Sequence, residues 1–223
     1  MHNDDTSMRV LSLDRGAASD VDIAAERTGV FTSGIVSIGD GYRIGLYFTG
    51  RKHAGENLAG VLKQRAAGLA APIQMCDALS RNLPKKLEVI IGHCMAHARR
   101  HFVEVTPNFP QECRFVLESL GEVYGYDEAA RTQGMSPEQR LRFHQEHSRP
   151  VMEKLRIWLD AQFDERRVEP NSGLGQAMSY LLKHWDRLTL FLRQSGAPLD
   201  NNICERALCG ASAHAGFLGI VWP

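Results

Sequence analysis

The 223-residue chain is long enough to bury one substantial core, or one core plus a smaller helical lobe, and its 43% apolar content is that of an ordinary globular protein. Lysine plus arginine equal aspartate plus glutamate at 26 each, so the whole chain lacks the basic excess that marks many nucleic-acid binders; such contacts would have to be local, as at His97-Ala98-Arg99-Arg100-His101. No apolar run is long enough to cross a bilayer, and five irregularly spaced cysteines with no signal peptide before them predict reduced thiols in a cytosolic protein rather than a disulfide framework.

Taken alone, residues 1–7 read as a solvated terminus. Residues 14–28 are rich in Asp, Ala, Arg and Gly and predict a loop. Two strand-like runs follow. Residues 29–38 carry Val30, Phe31, Ile35, Val36 and Ile38. Residues 42–49 alternate Tyr42, Ile44, Leu46 and Phe48 with Arg43, Gly45 and Tyr47. The period of two, with Gly39-Asp40-Gly41 between the runs, predicts a β-hairpin. A polar connector at 50–57 then leads into a helix whose apolar face is Leu58, Val61, Leu62 and Leu69.

Residues 72–77 predict a short buried strand ending in the carboxylate of Asp77, and residues 85–92 predict a fifth strand. Taken locally, Asp77 reads as a strand-terminal residue capping the next turn. Cys94 and His97 have a spacing compatible with zinc, but a complete zinc site needs a second pair. The available candidates, Cys113 and His144/His147, form no recognised pattern with them. The alternative at this position is a strand-to-helix junction in which Cys94 packs as a small hydrophobe.

Residues 106–167 predict mostly helix. One face is Phe115, Val116, Leu120, Val123 and Tyr124. A second, after a break or kink at Pro150, is Val151, Leu155, Trp158, Leu159 and Phe163. Ser136-Pro137-Glu138-Gln139 is a helix start, with Ser136 as cap, proline at the first position and Gln139 three residues after the cap. Residues 174–193 predict one continuous helix with Leu174, Met178, Leu181, Leu182, Trp185, Leu188 and Leu192 at spacings of three and four. Gly196-Ala197-Pro198 ends it.

The stretch Pro198 to Leu208 then opens a last helix. Asp200 or an asparagine after it is placed to cap that helix, and Glu205 falls near its first turn, where the helix dipole favours a carboxylate. Asp200-Asn201-Asn202, with Glu205-Arg206-Ala207-Leu208, resembles the C-terminal catalytic signature of the insertion sequence 66 family of bacterial DDE transposases. His2, Asp4, Asp5 and Thr6 resemble that family's N-terminal acidic motif, with Asp5 standing for a glutamate. Phe48 to Leu58 and Cys94 to Phe102 are similar to further segments of it.

The resemblance implies an α/β, ribonuclease-H-like core, a mixed sheet flanked by helices, with a long helical insertion before the last catalytic helix. It divides the chain into core residues 1–105, insertion 106–170, core helices 171–208 and a divergent, disordered tail 209–223, where the match stops and Gly210 is expected to cut the last helix short. It implies Asp4, Asp77 and Glu205 as the catalytic, metal-holding acids, with Mg²⁺ or Mn²⁺ as cofactor and DNA, transposon ends and target, as substrate. Arg99, Arg100 and Arg206 are candidate phosphate contacts by their closeness to these motifs. In transposases of this kind water attacks a phosphodiester at the element's end, and the freed 3′-hydroxyl then attacks target DNA. The chain is expected to be a catalytic-domain fragment, inactive alone. The alternatives are a non-catalytic module that binds DNA or full-length transposase, and a small zinc-stabilised helical protein built on Cys94 and His97.

Overall fold

A computed structural model describes residues 1–7, 29–39, 41–66, 68–85 and 87–213. The predicted loop at 14–28, Asp40 of the hairpin turn and residues 214–223 of the predicted tail lie outside the described residues. The chain divides into two compact units, residues 1–90 with 201–223, and residues 91–200.

The first unit is built on a mixed sheet. Strands β1 (His2–Ser7), β2 (Phe31–Gly39), β3 (Tyr42–Gly50), β4 (Ile73–Cys76) and β5 (Ile90–His93) lie in the order β3-β2-β1-β4-β5. The boundary between the units falls inside β5. The predicted hairpin is β2 and β3, antiparallel with Ile35 opposite Leu46. The acidic motif at the start of the chain is itself the central strand β1, antiparallel to β2 and parallel to β4. Its beginning is held by backbone bonds: the Met1 amine donates to Ile73 O at 2.7 Å, and Met75 N donates to Met1 O at 2.8 Å. β5 is shorter than the strand predicted over 85–92; Ile90 N donates to Pro72 O at 3.0 Å at its start.

Among the described residues, helices α1 (Ala54–Lys63) and α8 (Asn202–Ala213) pack on this sheet. Glu56 accepts the His53 N–H at 2.8 Å, closing the first turn of α1. Leu58 is buried, as its predicted face requires, but Leu69 is 57% exposed. The helix ends at Lys63 with Gln64 as its cap, before the periodic pattern reaches Leu69. Val36, Cys204 and Leu208 form a small buried cluster where α8 meets the sheet; each such aliphatic side chain contributes about 1.5–3 kcal/mol.

The second unit is helical: α2 (Met95–Val105), α3 (Pro110–Thr132), α4 (Pro137–Phe143), α5 (Arg149–Asp164), α6 (Gly173–Lys183) and α7 (Trp185–Leu188). The capping box before α4 forms as predicted: Gln139 N donates to Ser136 Oγ at 3.3 Å, and Ser136 N to Gln139 Oε1 at 2.8 Å. Val116, Leu120, Val123, Leu155 and Leu159 of the two predicted faces are buried.

The break expected at Pro150 is a π-helical turn, His144–Ser148, joining α4 to α5. Pro150 has no N–H for the Glu146 carbonyl and its ring crowds that oxygen, so widening the turn relieves the conflict. The widened turn is held by a buried network. His144 places Nδ1 2.9 Å from Ser148 Oγ and Nε2 3.0 Å from Asp127 Oδ1. Arg140 Nε donates to the same Asp127 oxygen at 2.8 Å. Both ring nitrogens of His144 are thereby engaged, so His144 does not serve as the second-pair zinc ligand considered with Cys94 and His97.

The single helix predicted over 174–193 is three pieces: α6, α7 and a 3₁₀ turn at Leu190–Leu192. The cause is polar. Thr189 Oγ1 donates back to Trp185 O at 2.7 Å, Arg193 donates to Asp186 O, and the backbone at His184 and Thr189 leaves the helical region. Leu188, Phe191 and Leu192 along this stretch are all buried.

Candidate functional site

Side chains along β1 alternate between the two faces of the sheet. His2 and Asp4 share one face. Across the antiparallel pair they stand opposite Val36 and Gly34, residues that contact α8. Asn3 and Asp5 take the other face, toward the loop after β4 and toward α1.

The start of α8 is fixed against β1 by Asn201, which is fully buried. Its Nδ2 donates to Asn3 O at 3.1 Å, and its Oδ1 lies 3.1 Å from His2 Nδ1. Burial, followed by the charges of the N-terminus and Arg43, pushes the His2 pKa down to about 4, although the Asn201 bond works the other way. The neutral ring therefore carries its proton on Nδ1 and donates it to Asn201. The Asn201 carbonyl accepts the N–H groups of Cys204 and Glu205, at 2.9 and 3.2 Å, so the asparagine opens the helix with Glu205 in its first turn. Cys204 donates to Gly34 O at 3.4 Å. Burial pushes the Cys204 thiol up to about 12, and the nearby charges of Asp4 and Glu205 push the same way. The thiol stays protonated among these acids.

Asp77 follows β4 directly and accepts the Leu79 N–H on Oδ1 at 3.2 Å. The same oxygen accepts a short hydrogen bond from Asn82 Nδ2. That amide nitrogen is also 3.5 Å from Asp4 Oδ1, which in turn accepts the Asp5 N–H at 2.8 Å. Asp4 and Asp77, 73 positions apart in sequence, are thus brought to one amide group. Asp4, Asp77 and Glu205 all belong to the first unit.

Asp5 does something else. Its carboxylate, 1% exposed, accepts from Ser33 Oγ at 2.7 Å and pairs with His53 Nδ1 at 3.0 Å. Asn57 Nδ2 donates to Ser33 Oγ at 2.9 Å. Asp5 therefore ties β1 to β2 and to the first turn of α1. Arg206 is exposed on α8, while Arg99 and Arg100 are exposed on α2 in the second unit.

The family model described as Transposase IS66 family matches residues 1–211. The chain belongs to the IS66 transposase family. The match runs three residues past Leu208, where the sequence resemblance was expected to stop. Helix α8 likewise continues to Ala213 rather than ending at Gly210; one glycine costs a helix only about 1 kcal/mol. Two relatives of this IS66-family chain come from Sinorhizobium fredii (strain NBRC 101917 / NGR234). It is similar to the protein named uncharacterized protein y4jD, 36% identical over 120 residues, which is 53% of this chain and 22% of that protein. It is also similar to uncharacterized protein y4hP, 30% identical over 136 residues, 56% of this chain and 24% of that protein. The matched part is thus about a quarter of the length of these relatives. No solved structure matches the chain. Among the described residues, no helix is long and apolar enough to cross a membrane.

The sequence reading named Asp4, Asp77 and Glu205 but missed the amides around them: Asn3, Gln74, Asn82 and the side chain of Asn201. The only local signal was Asn82 five residues beyond Asp77, in a stretch that otherwise reads as an ordinary loop.

Proposed function

We infer that this chain carries the acidic site of a DDE-type transposase, on a ribonuclease-H-like core, with residues 106–170 as the helical insertion. The observation that carries this reading is the meeting of the Asp4 and Asp77 carboxylates at one amide, Asp4 on β1 and Asp77 directly after the end of its parallel neighbour β4. The strand order β3-β2-β1-β4-β5, with β1 central, supports the core assignment.

The donor set suits Mg²⁺ or Mn²⁺. These ions take hard oxygen ligands and keep several waters, so a few carboxylates suffice. Two carboxylates held this close repel each other, and a cation offsets that repulsion. Asp4, Asp77 and Glu205 would hold the metal, which when bound supplies activation of an attacking oxygen and stabilisation of a leaving one. The chain's own part is placement. β1 carries Asp4, the turn after β4 carries Asp77, and Asn201 sets the start of the helix that carries Glu205. The protonated Cys204 adds no charge of its own. Arg206, Arg99 and Arg100 are proposed as phosphate contacts on DNA. Strand cleavage and strand transfer are proposed for this site together with the regions that its longer relatives carry.

The test is thermal unfolding with and without Mn²⁺, beside an Asp77→Ala variant. A ligand that binds only the folded state raises stability by about 2.7 kcal/mol at a hundredfold excess over its Kd. Mn²⁺ is expected to raise the midpoint of the parent and not that of the variant. An equal shift in both, or none in either, contradicts the reading. A second reading, a non-catalytic module that binds DNA or an intact transposase, is favoured by the exposed Arg99-Arg100 pair on α2. DNA binding that is unchanged in Asp77→Ala, without metal-dependent nicking, would select it.

A further inference from the structure

Three amide side chains, Asn3, Gln74 and Asn82, lie within the first unit at 0%, 1% and 0% exposure. Gln74 Nε2 donates to Asn3 Oδ1 at 2.8 Å and to the Asn82 carbonyl at 2.7 Å. Asn3 Nδ2 donates to the same Asn82 carbonyl at 2.8 Å. The backbone of Asn82 is thereby fastened to β1 through Asn3 and to β4 through Gln74. Its side-chain nitrogen then turns toward Asp4 and Asp77.

Burying amides is costly unless every group is bonded, and an apolar trio would fill the same space at lower cost. Among the described residues, Asn82 Oδ1 and Gln74 Oε1 have no hydrogen-bond partner. A network carried with two unsatisfied acceptors is poor design for stability alone. Its geometry has a different use. The orientation of the Asn82 amide is set by its neighbours: the reverse placement would set Oδ1 against two carboxylates. With Nδ2 toward them, one planar group donates to one oxygen of each acid.

We propose that Asn82 is a positioning residue that fixes the separation and orientation of the Asp4 and Asp77 carboxylates, so that together they select a small divalent cation with strict octahedral demands. The proposal rests on the reading of these acids as a cation site. Asn82 acts on the cation only through the two carboxylates, in the way outer-shell partners orient metal ligands generally. Mg²⁺ needs near-ideal octahedral geometry, whereas Ca²⁺ accepts irregular and wider oxygen shells. Loosening the carboxylates therefore penalises Mg²⁺ more than Ca²⁺.

The experiment titrates Mg²⁺ and Ca²⁺ calorimetrically into the full chain, Asn82→Ala and Asp77→Ala, with circular dichroism and cooperative unfolding as the check on folding. Asn82→Ala keeps the backbone carbonyl that Asn3 and Gln74 hold. It is expected to lose about 10–100-fold in Mg²⁺ affinity with a smaller loss for Ca²⁺, while Asp77→Ala loses both. If Asn82→Ala does not unfold cooperatively, Asn82→Ser takes its place; one short hydroxyl cannot bridge two acids, and the same selective loss is expected. Parental Mg²⁺ affinity in a folded Asn82 variant, or equal losses for the two ions, overturns the positioning role and leaves the cation site standing. Absence of Mg²⁺ binding in the parent overturns both.

Discussion

Gly34 on β2 is the direct register partner of Asp4 on β1, and a methyl group at Gly34 would lie 2.9 Å from Leu208 Cγ and 3.3 Å from Cys204 Sγ. The bare backbone at Gly34 is what lets α8 lie close over the strand that carries Asp4. Gly34→Ala is therefore expected to destabilise the chain by about 1–3 kcal/mol through overpacking, and to weaken Mn²⁺ binding by lifting Glu205 with the helix. Gly60→Ala is the control. It sits inside α1 with nothing near its added methyl, and should stabilise by about 0.5–1 kcal/mol. Urea unfolding of the pair gives the comparison.

Asp5 joins three elements of the sheet region through one buried carboxylate. Its carboxylate is buried against His53 and Ser33. Removing one partner of a buried pair leaves the other uncompensated, at a cost of about 3–5 kcal/mol when both are fully buried. His53 is 18% exposed, so Asp5→Ala is expected below that range, at about 2–3 kcal/mol. His53→Ala should cost less, because the Asp5 carboxylate keeps the Ser33 hydroxyl. Urea midpoints of the two variants and their double mutant measure the coupling directly.

Acidification should destabilise the second unit in two steps. Burial, helped by the charges of His184 and Arg187, pushes the His93 pKa down to about 4. The ordinary value is about 6.5, so between these pH values the unfolded chain binds more protons than the folded one and stability rises with pH. Falling from about pH 6.5 to 4 should thus remove about 1–3 kcal/mol after allowance for solvent screening. Burial of Asp127 alone would raise its pKa, but the bonds and charge of His144 and Arg140 outweigh it and hold the carboxyl below its usual range. That contribution is present above the ordinary carboxylate pKa and is lost only at still lower pH. Unfolding free energies measured from pH 7.5 to 4 check the first step. His93→Gln should reduce the slope in that window to the share left by His2, and leave the more acidic loss in place.

Much of the sheet was legible in the sequence because its signals are local. Period two in Tyr42 to Phe48 and the Gly39-Asp40-Gly41 turn mark the hairpin. Ser136 and Gln139 mark the start of α4 just as locally. The helix predicted over 174–193 failed because periodicity counts apolar spacing and does not weigh Thr189 or Arg193, whose bonds to backbone carbonyls turn the chain. Leu69 failed for a related reason: it continues the apolar spacing of α1 after the helix itself has stopped. At the site, Asp4, Asp77 and Glu205 are proposed through family resemblance. Asn82 was not legible, since its bonds reach residues 78 and 79 positions away. No local pattern encodes such a meeting.

The convergence of Glu205 with the two aspartates is the claim on which the proposed function depends, and calorimetric titration of Mn²⁺ into the parent and Glu205→Gln tests it most directly. The substitution keeps the size and shape of the side chain on α8 and removes only its charge. Mn²⁺ binding by the parent, weakened about tenfold or more in the folded variant, is the predicted result. Binding at parental affinity in Glu205→Gln would show that α8 does not bring its carboxylate to the Asp4–Asp77 site, and would contradict the account.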